Sequence, residues 1–255
     1  MTGVPIDRTS ALPAPLGTLA VTPRPLPMYR DMFLLDDAAL TAGLILDCPA
    51  GASPFGAQVR ALGGEAVSVD PAYGSAAEVV PRALADIERV TAWHRANPHG
   101  FHWSYLGSAE RVRATFVAAV EEFAADFDAA DTRYIAAALP NLPFPDGHFT
   151  LAVSGFLLFV YPEVLDFAAH RDCLLELVRV TSGEVRVYPL HDTSGRPWPR
   201  LSELRALLET QGVASELRAT GTAWSSRPGS DRMLACQRTD RPPRGDQQLR
   251  AGPSR

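Results

Sequence analysis

Two acids flanking a turn of small residues carry most of the chemistry legible in this chain. Asp47 ends the apolar run Leu44-Ile45-Leu46, and Asp70 ends a second run, Ala66 to Val69. Between them lie Pro49-Ala50-Gly51-Ala52-Ser53 and a helix-like stretch. An apolar run, a tight turn, a helix and a second apolar run make a parallel strand–helix–strand unit. An acid at the tip of the second strand is placed to accept hydrogen bonds from ribose hydroxyls. A glycine turn after the first strand lets the backbone approach a ligand closely. The pattern points to an adenosine-containing cofactor, with Asp70 at its ribose. Gly51-x-x-x-x-Gly56 is not the G-x-G-x-x-G of a pyrophosphate-binding turn, which disfavours a dinucleotide dehydrogenase.

Composition removes several other chemistries. The 24 basic side chains are all Arg, so Schiff-base catalysis, pyridoxal phosphate attachment and a lysine-bearing phosphate loop are excluded. Cys48, Cys173 and Cys236 stand alone, without a C-x-x-C pair, and are expected to be small buried hydrophobes. A net charge of −5 draws neither nucleic acid nor an anionic membrane to the whole surface. No apolar run reaches the roughly 18 to 20 residues of a membrane helix and no signal-peptide core is visible, so a cytoplasmic address is expected. The 255 residues suit one α/β domain with an insertion.

The elements that must position these residues follow from periodicity. Residues 1–27, rich in Pro, Thr, Leu and Ala without a period, are expected to be disordered or extended. The single ordered domain is expected over 28–238. It opens with a short helix or helix pair over the mouth of the sheet. Ser75 to Asp131 is long for one crossover and predicts two helices, about 75–96 and 108–127. Between them lie His94, His99, His102, Trp103 and Tyr105, candidates to line an acceptor pocket or to cover the sheet edge. No carboxylate or Cys stands at ligand spacing to these histidines, so no metal site is expected. Arg133–Leu139, Thr150–Phe159 and Glu184–Leu190 read as further strands, with helices at 163–180 and 199–211. A closing antiparallel pair is expected at 214–220 and 232–238, then a polar tail, 239–255. The fold class is α/β: a doubly wound, mostly parallel seven-stranded sheet with a C-terminal antiparallel hairpin and a helical lid or insertion.

Taken in order, ILDCPAG, SVDPAY, LPNLPFPDGHFTLAVSGFLLFVY and GEVRVYPL resemble a class I S-adenosylmethionine-dependent methyltransferase over about residues 28–238. The resemblance implies a Rossmann-like methyltransferase fold and S-adenosylmethionine as cofactor. It places Asp47, Cys48, Ala50 and Gly51 around the methionine end and Asp70 with Pro71 at the ribose. Leu139 and Pro140 would frame the adenine. Tyr29 (with Arg30) on the lid helix and Ser154 at the end of the fourth strand are further cleft candidates. His191 and Asp192 follow the fifth strand, where substrates enter, though a solvated loop suits them as well. The acidic body favours a small-molecule acceptor methylated by in-line transfer, a reaction that needs no fixed catalytic signature. Catalytic residues and oligomeric state are not specified by the sequence. An alternative keeps the cofactor and cyclises it to a small amino acid, as azetidine-2-carboxylate synthases do. Another keeps only the fold, because Gly51 stands alone and Ala138 and Thr150 occupy positions where acids are common in the family.

Overall fold

The computed structural model describes residues 16–128 and 131–239. Chain order is α1 (Leu26–Phe33), α2 (Asp37–Thr41), β1 (Leu44–Asp47), α3 (Phe55–Ala61) and β2 (Glu65–Val69), then a 3-10 turn at Pro71–Ser75. Next come α4 (Ala76–Ala96), α5 (Trp103–Leu106), α6 (Ala109–Asp126), β3 (Tyr134–Ile135) and β4 (Phe149–Gly155). The chain closes with α7 (Phe167–Val180), β5 (Thr181–Tyr188), α8 (Leu201–Thr210), β6 (Val213–Ala219) and β7 (Arg232–Arg238). The strands form one seven-stranded sheet in the order β3-β2-β1-β4-β5-β7-β6. Pairing is parallel from β3 through β5, and β7 runs antiparallel to both β5 and β6. This is the doubly wound sheet and terminal hairpin expected from the sequence.

Strand alternation divides the core into two layers. Ile45, Ala66, Leu151 and Val153 pack with α1, α3, α4 and α6 on one face. Leu46, Val69, Ala152, Val185 and Val187 pack with α7 and α8 on the other. Because both faces are covered, the central strands are continuous apolar runs rather than alternating ones. The long insertion forms part of the first layer. In α6, Val112, Phe116, Ala119, Val120 and Phe123 make one buried stripe, and Ser108 caps the helix by accepting the Arg111 N–H.

Two expectations are corrected. The third strand is only Tyr134–Ile135, pairing with Ser68 and Val69, because residues 137–139 leave the sheet to line a cavity. The expected disorder through Pro27 does not extend to residues 16–27. They run extended over the C-terminal ends of the strands and then enter α1. Side chains from distant elements hold them there. The Val21 N–H donates to Asp86 (2.8 Å), the Leu26 N–H to Gln58 (2.6 Å) and the Ser53 hydroxyl to the Arg24 carbonyl (2.6 Å). Arg89 donates to the carbonyls of Leu16, Thr18 and Leu19. Residues 1–15 and, Thr239 apart, the expected tail lie outside the described residues.

Candidate functional site

A cavity of about 380 Å³ opens beyond the carboxyl ends of β1, β2 and β4, where the strand order reverses. Its floor is the turn after β1, which hydrogen bonds sew to the end of β2. The Ala50 N–H donates to the Val69 carbonyl (2.9 Å), and the Gly51 N–H to Asp70 Oδ2 (2.9 Å). The Tyr73 hydroxyl donates to the Gly51 carbonyl (2.8 Å). Gly51 has φ +60°, and a Cβ there would lie 2.6 Å from the Thr22 carbonyl oxygen, so the extended segment rests directly on the turn. The N–H groups of Cys48, Ala50, Gly51 and Phe55 all have partners within the protein, which leaves this turn ill suited to cradle a pyrophosphate.

Asp70 is the acid at the cavity wall. Its Oδ1 accepts the Ala72 N–H (2.8 Å) as Oδ2 accepts that of Gly51. A carboxylate has about four lone-pair positions, so each oxygen keeps one for a ligand donor. Two adjacent acceptors on one wall fit a vicinal diol. Burial raises the Asp70 pKa, opposed by the two backbone donors and by Arg82.

Seven of the ten sequence-predicted site residues line the cavity: Tyr29, Cys48, Ala50, Gly51, Asp70, Pro71 and Leu139. Asp47 stands behind the wall, fully buried, accepting the Tyr29 hydroxyl at Oδ2 (2.9 Å) while Oδ1 has no partner. Burial holds its carboxyl well above the usual carboxylate range. Ser154 is buried off the wall with an unpartnered hydroxyl, because strand alternation gives the wall position to Gly155. Pro140 is exposed just outside, after Leu139. Burial pushes the Cys48 thiol well up, so it serves as a neutral wall group.

The periodicity reading missed the contribution of residues 16–25. Arg24 is buried between two cavities, its guanidinium 3.5 Å from the Phe156 ring centroid and 5.1 Å from that of Trp224. One Nη donates to the Thr22 hydroxyl (2.5 Å), and Nε has no partner. No carboxylate among the described residues pairs with it, and burial lowers its pKa to about 10. The Pro-bracketed cation in Thr22-Pro23-Arg24-Pro25 was the available signal, but it has no period.

The histidine cluster divides. His99 and His102 are exposed, whereas His94 is buried among Trp93, Phe101, Trp103 and Trp224. The Tyr105 hydroxyl is directed to Asp31 (2.8 Å). His191 and Asp192 are buried rather than solvated, because Asp192 closes its own loop by accepting from Ser194 and Arg196. Among the described residues no cluster could hold a metal ion, and no helix is long and apolar enough to cross a membrane.

No family model matches the chain. An uncharacterized protein of Methanocaldococcus jannaschii is 26% identical over 169 residues, covering 66% of this chain and 76% of that one. Three solved structures are also similar. One is Burkholderia thailandensis 1,6-didemethyltoxoflavin-N1-methyltransferase with bound 1,6-didemethyltoxoflavin and S-adenosylhomocysteine (15% identity, 80% of this chain, 76% of that one, TM-score 0.41). Another is an S-adenosylmethionine-dependent methyltransferase of Aquifex aeolicus (14%, 82% and 91%, TM-score 0.37). The third is Streptomyces coelicolor geranyl diphosphate C-methyltransferase (13%, 77% and 71%, TM-score 0.34). All three are methyltransferases.

Proposed function

We propose that the chain is an S-adenosylmethionine-dependent methyltransferase acting on a small-molecule acceptor. The observation that carries this reading is the Asp70 carboxylate, anchored by two backbone donors and presenting two further lone pairs to the cavity at the strand-order reversal. Asp70 would take the ribose diol, the turn at Ala50 and Gly51 the methionine portion, and Pro71 with Leu139 the adenine. When bound, the cofactor supplies a methyl group already activated by its cationic sulfur. The chain's own part is to orient it, exclude water and hold the acceptor in line. Tyr29 and, from the extended segment, Leu19 to Thr22 and Arg24 do the excluding, since they line the cavity. A cavity of about 380 Å³ on an acidic body suits a small acceptor better than a polymer.

Calorimetric titration with S-adenosylmethionine and S-adenosylhomocysteine tests the reading. Micromolar binding of either, lost in an Asp70→Ala variant whose circular dichroism is unchanged, is the expected result. Absence of binding at millimolar ligand in the folded wild-type protein would overturn it. Product analysis with no acceptor added then separates methyl transfer from internal cyclisation.

A further inference from the structure

A second recess, about 50 Å³, adjoins the cofactor cavity, and Thr22, Arg24, Phe156 and Tyr161 line both. Most of its wall is apolar and aromatic, from Val90, Trp93, Phe101 and Trp224. Three of its polar side chains are unusual because they have atoms without partners. His94 has neither ring nitrogen hydrogen-bonded, His191 has its Nε2 free, and Arg24 has its Nε free, all three with their residues at least nine-tenths buried. Buried polar atoms of native proteins nearly always find a partner, so three such side chains around one recess mark a place where a ligand completes the hydrogen bonding.

The geometry also defines what each group offers. His191 Nδ1 lies 2.9 Å from the Asp192 carbonyl, which can only accept, so Nδ1 carries the hydrogen. In the neutral imidazole the free Nε2 therefore presents a lone pair. Burial favours that neutral form for His191, and burial with Arg24 pushes His94 down to about 4. Arg24 is the opposite kind of partner, a cation without a carboxylate, seated on aromatic faces.

We propose that this recess is the acceptor subsite, taking an aromatic ring that bears an acidic hydroxyl, with His191 Nε2 as proton acceptor and Arg24 facing the resulting oxygen anion. The O–H bond of the ligand breaks, its proton passes to Nε2 to form the imidazolium, and the electron pair stays on oxygen beside the guanidinium. The recess itself admits the hydroxyl end, and the ring extends past Phe156 and Tyr161 into the larger cavity. The proposal rests on the methyltransferase reading for the use of that anion, whose charge is delocalised onto the ring carbons facing the larger cavity, but its binding chemistry is tested without the cofactor.

The probe is 4-nitrophenol, whose visible absorbance distinguishes phenolate from phenol. The titratable and charged groups facing His191 and Arg24 are His94, Tyr161 and Asp192 with its partner Arg196, and, around Arg24, Tyr29, Tyr188 and Asp47. At a pH about one unit below the free probe's pKa, the full chain is expected to bind the probe as phenolate. Arg24→Met is expected to weaken binding about ten-fold or more, the loss of one charge-assisted contact. His191→Gln, whose amide oxygen accepts a hydrogen bond but not a proton, is expected to keep binding within a few-fold and lose the phenolate signal. Parallel titration with S-adenosylhomocysteine keeps the two readings apart. If the homocysteine compound fails to bind but the probe ionises, the methyltransferase reading falls and the subsite stands. If the probe binds without ionising, or His191→Gln ionises it equally, the subsite assignment is overturned. It is overturned too if Arg24→Met loses S-adenosylhomocysteine affinity alone, which would assign Arg24 to the cofactor's carboxylate.

Discussion

Replacing Gly51 by Ala tests whether the extended segment is braced on the turn after β1. Two costs are separable. Gly51 has φ +60°, and an L-residue there pays about 1–2 kcal/mol for the left-handed conformation. The added Cβ would then lie 2.6 Å from the Thr22 carbonyl oxygen and 3.2 Å from the Thr22 nitrogen. An ordinary carbon–oxygen contact is about 3.3 Å or more, so the segment must retreat by roughly 0.7 Å. Both sides of the contact are backbone, so no rotamer relieves it. The retreat strains the bonds that the Val21 N–H donates to Asp86 and the Ser53 hydroxyl donates to the Arg24 carbonyl, and losing one costs about 1–3 kcal/mol. Gly63→Ala is the matched control. Its φ is +83°, with nothing within 4 Å of the added Cβ, so it carries the conformational cost alone. Urea unfolding is expected to show Gly51→Ala less stable than Gly63→Ala by about 1–3 kcal/mol. Thermolysin cleavage between Leu16 and Val21 should rise only in the former. Equal stabilities, with unchanged cleavage, would refute the bracing of residues 16–25 on the turn.

Two further outcomes follow from buried groups. Asp47 has a folded pKa raised above its unfolded value, so the native state binds its proton more tightly and wild-type stability falls as pH rises from about 4 toward the folded pKa. Asp47→Asn removes that titration while leaving an acceptor for Tyr29; the variant's stability relative to wild type should therefore increase with pH above about 4, and a pH-independent difference in urea midpoints would contradict it. Phe123 is fully buried against Tyr73, Phe127 and Tyr134, and Phe123→Ala should cost about 3–5 kcal/mol in urea unfolding. Because Tyr73 holds the Gly51 carbonyl, the same variant should bind S-adenosylhomocysteine more weakly than wild type in calorimetry.

Asp70 and Gly51 were legible as a pair because Asp70 ends one apolar run and Gly51 lies in the turn after the other, and parallel neighbouring strands bring such ends together whatever the rest of the chain does. The same regularity made α4 and α6 visible, since a buried stripe repeats along a helix. The alternation in β4 decides that Gly155 and not Ser154 reaches the wall, a choice that depends on register against β1 and β5.

The sequence by itself therefore determined the layered sheet, the acid at the end of β2 and the exclusion of lysine chemistry. Only the tertiary structure decided what covers the cavity and what lies beside it. Residues 16–26 are held by Asp86, Gln58, Ser53 and Arg89, whose bonds join positions 29 to 73 residues apart and need no repeating pattern in the segment they hold. His94, His191 and Arg24 come from an insertion helix, a loop after β5 and that same segment. Periodicity records burial that recurs along one element, whereas these three are brought to one recess by the packing of separate elements, which leaves no mark on the local sequence of any of them.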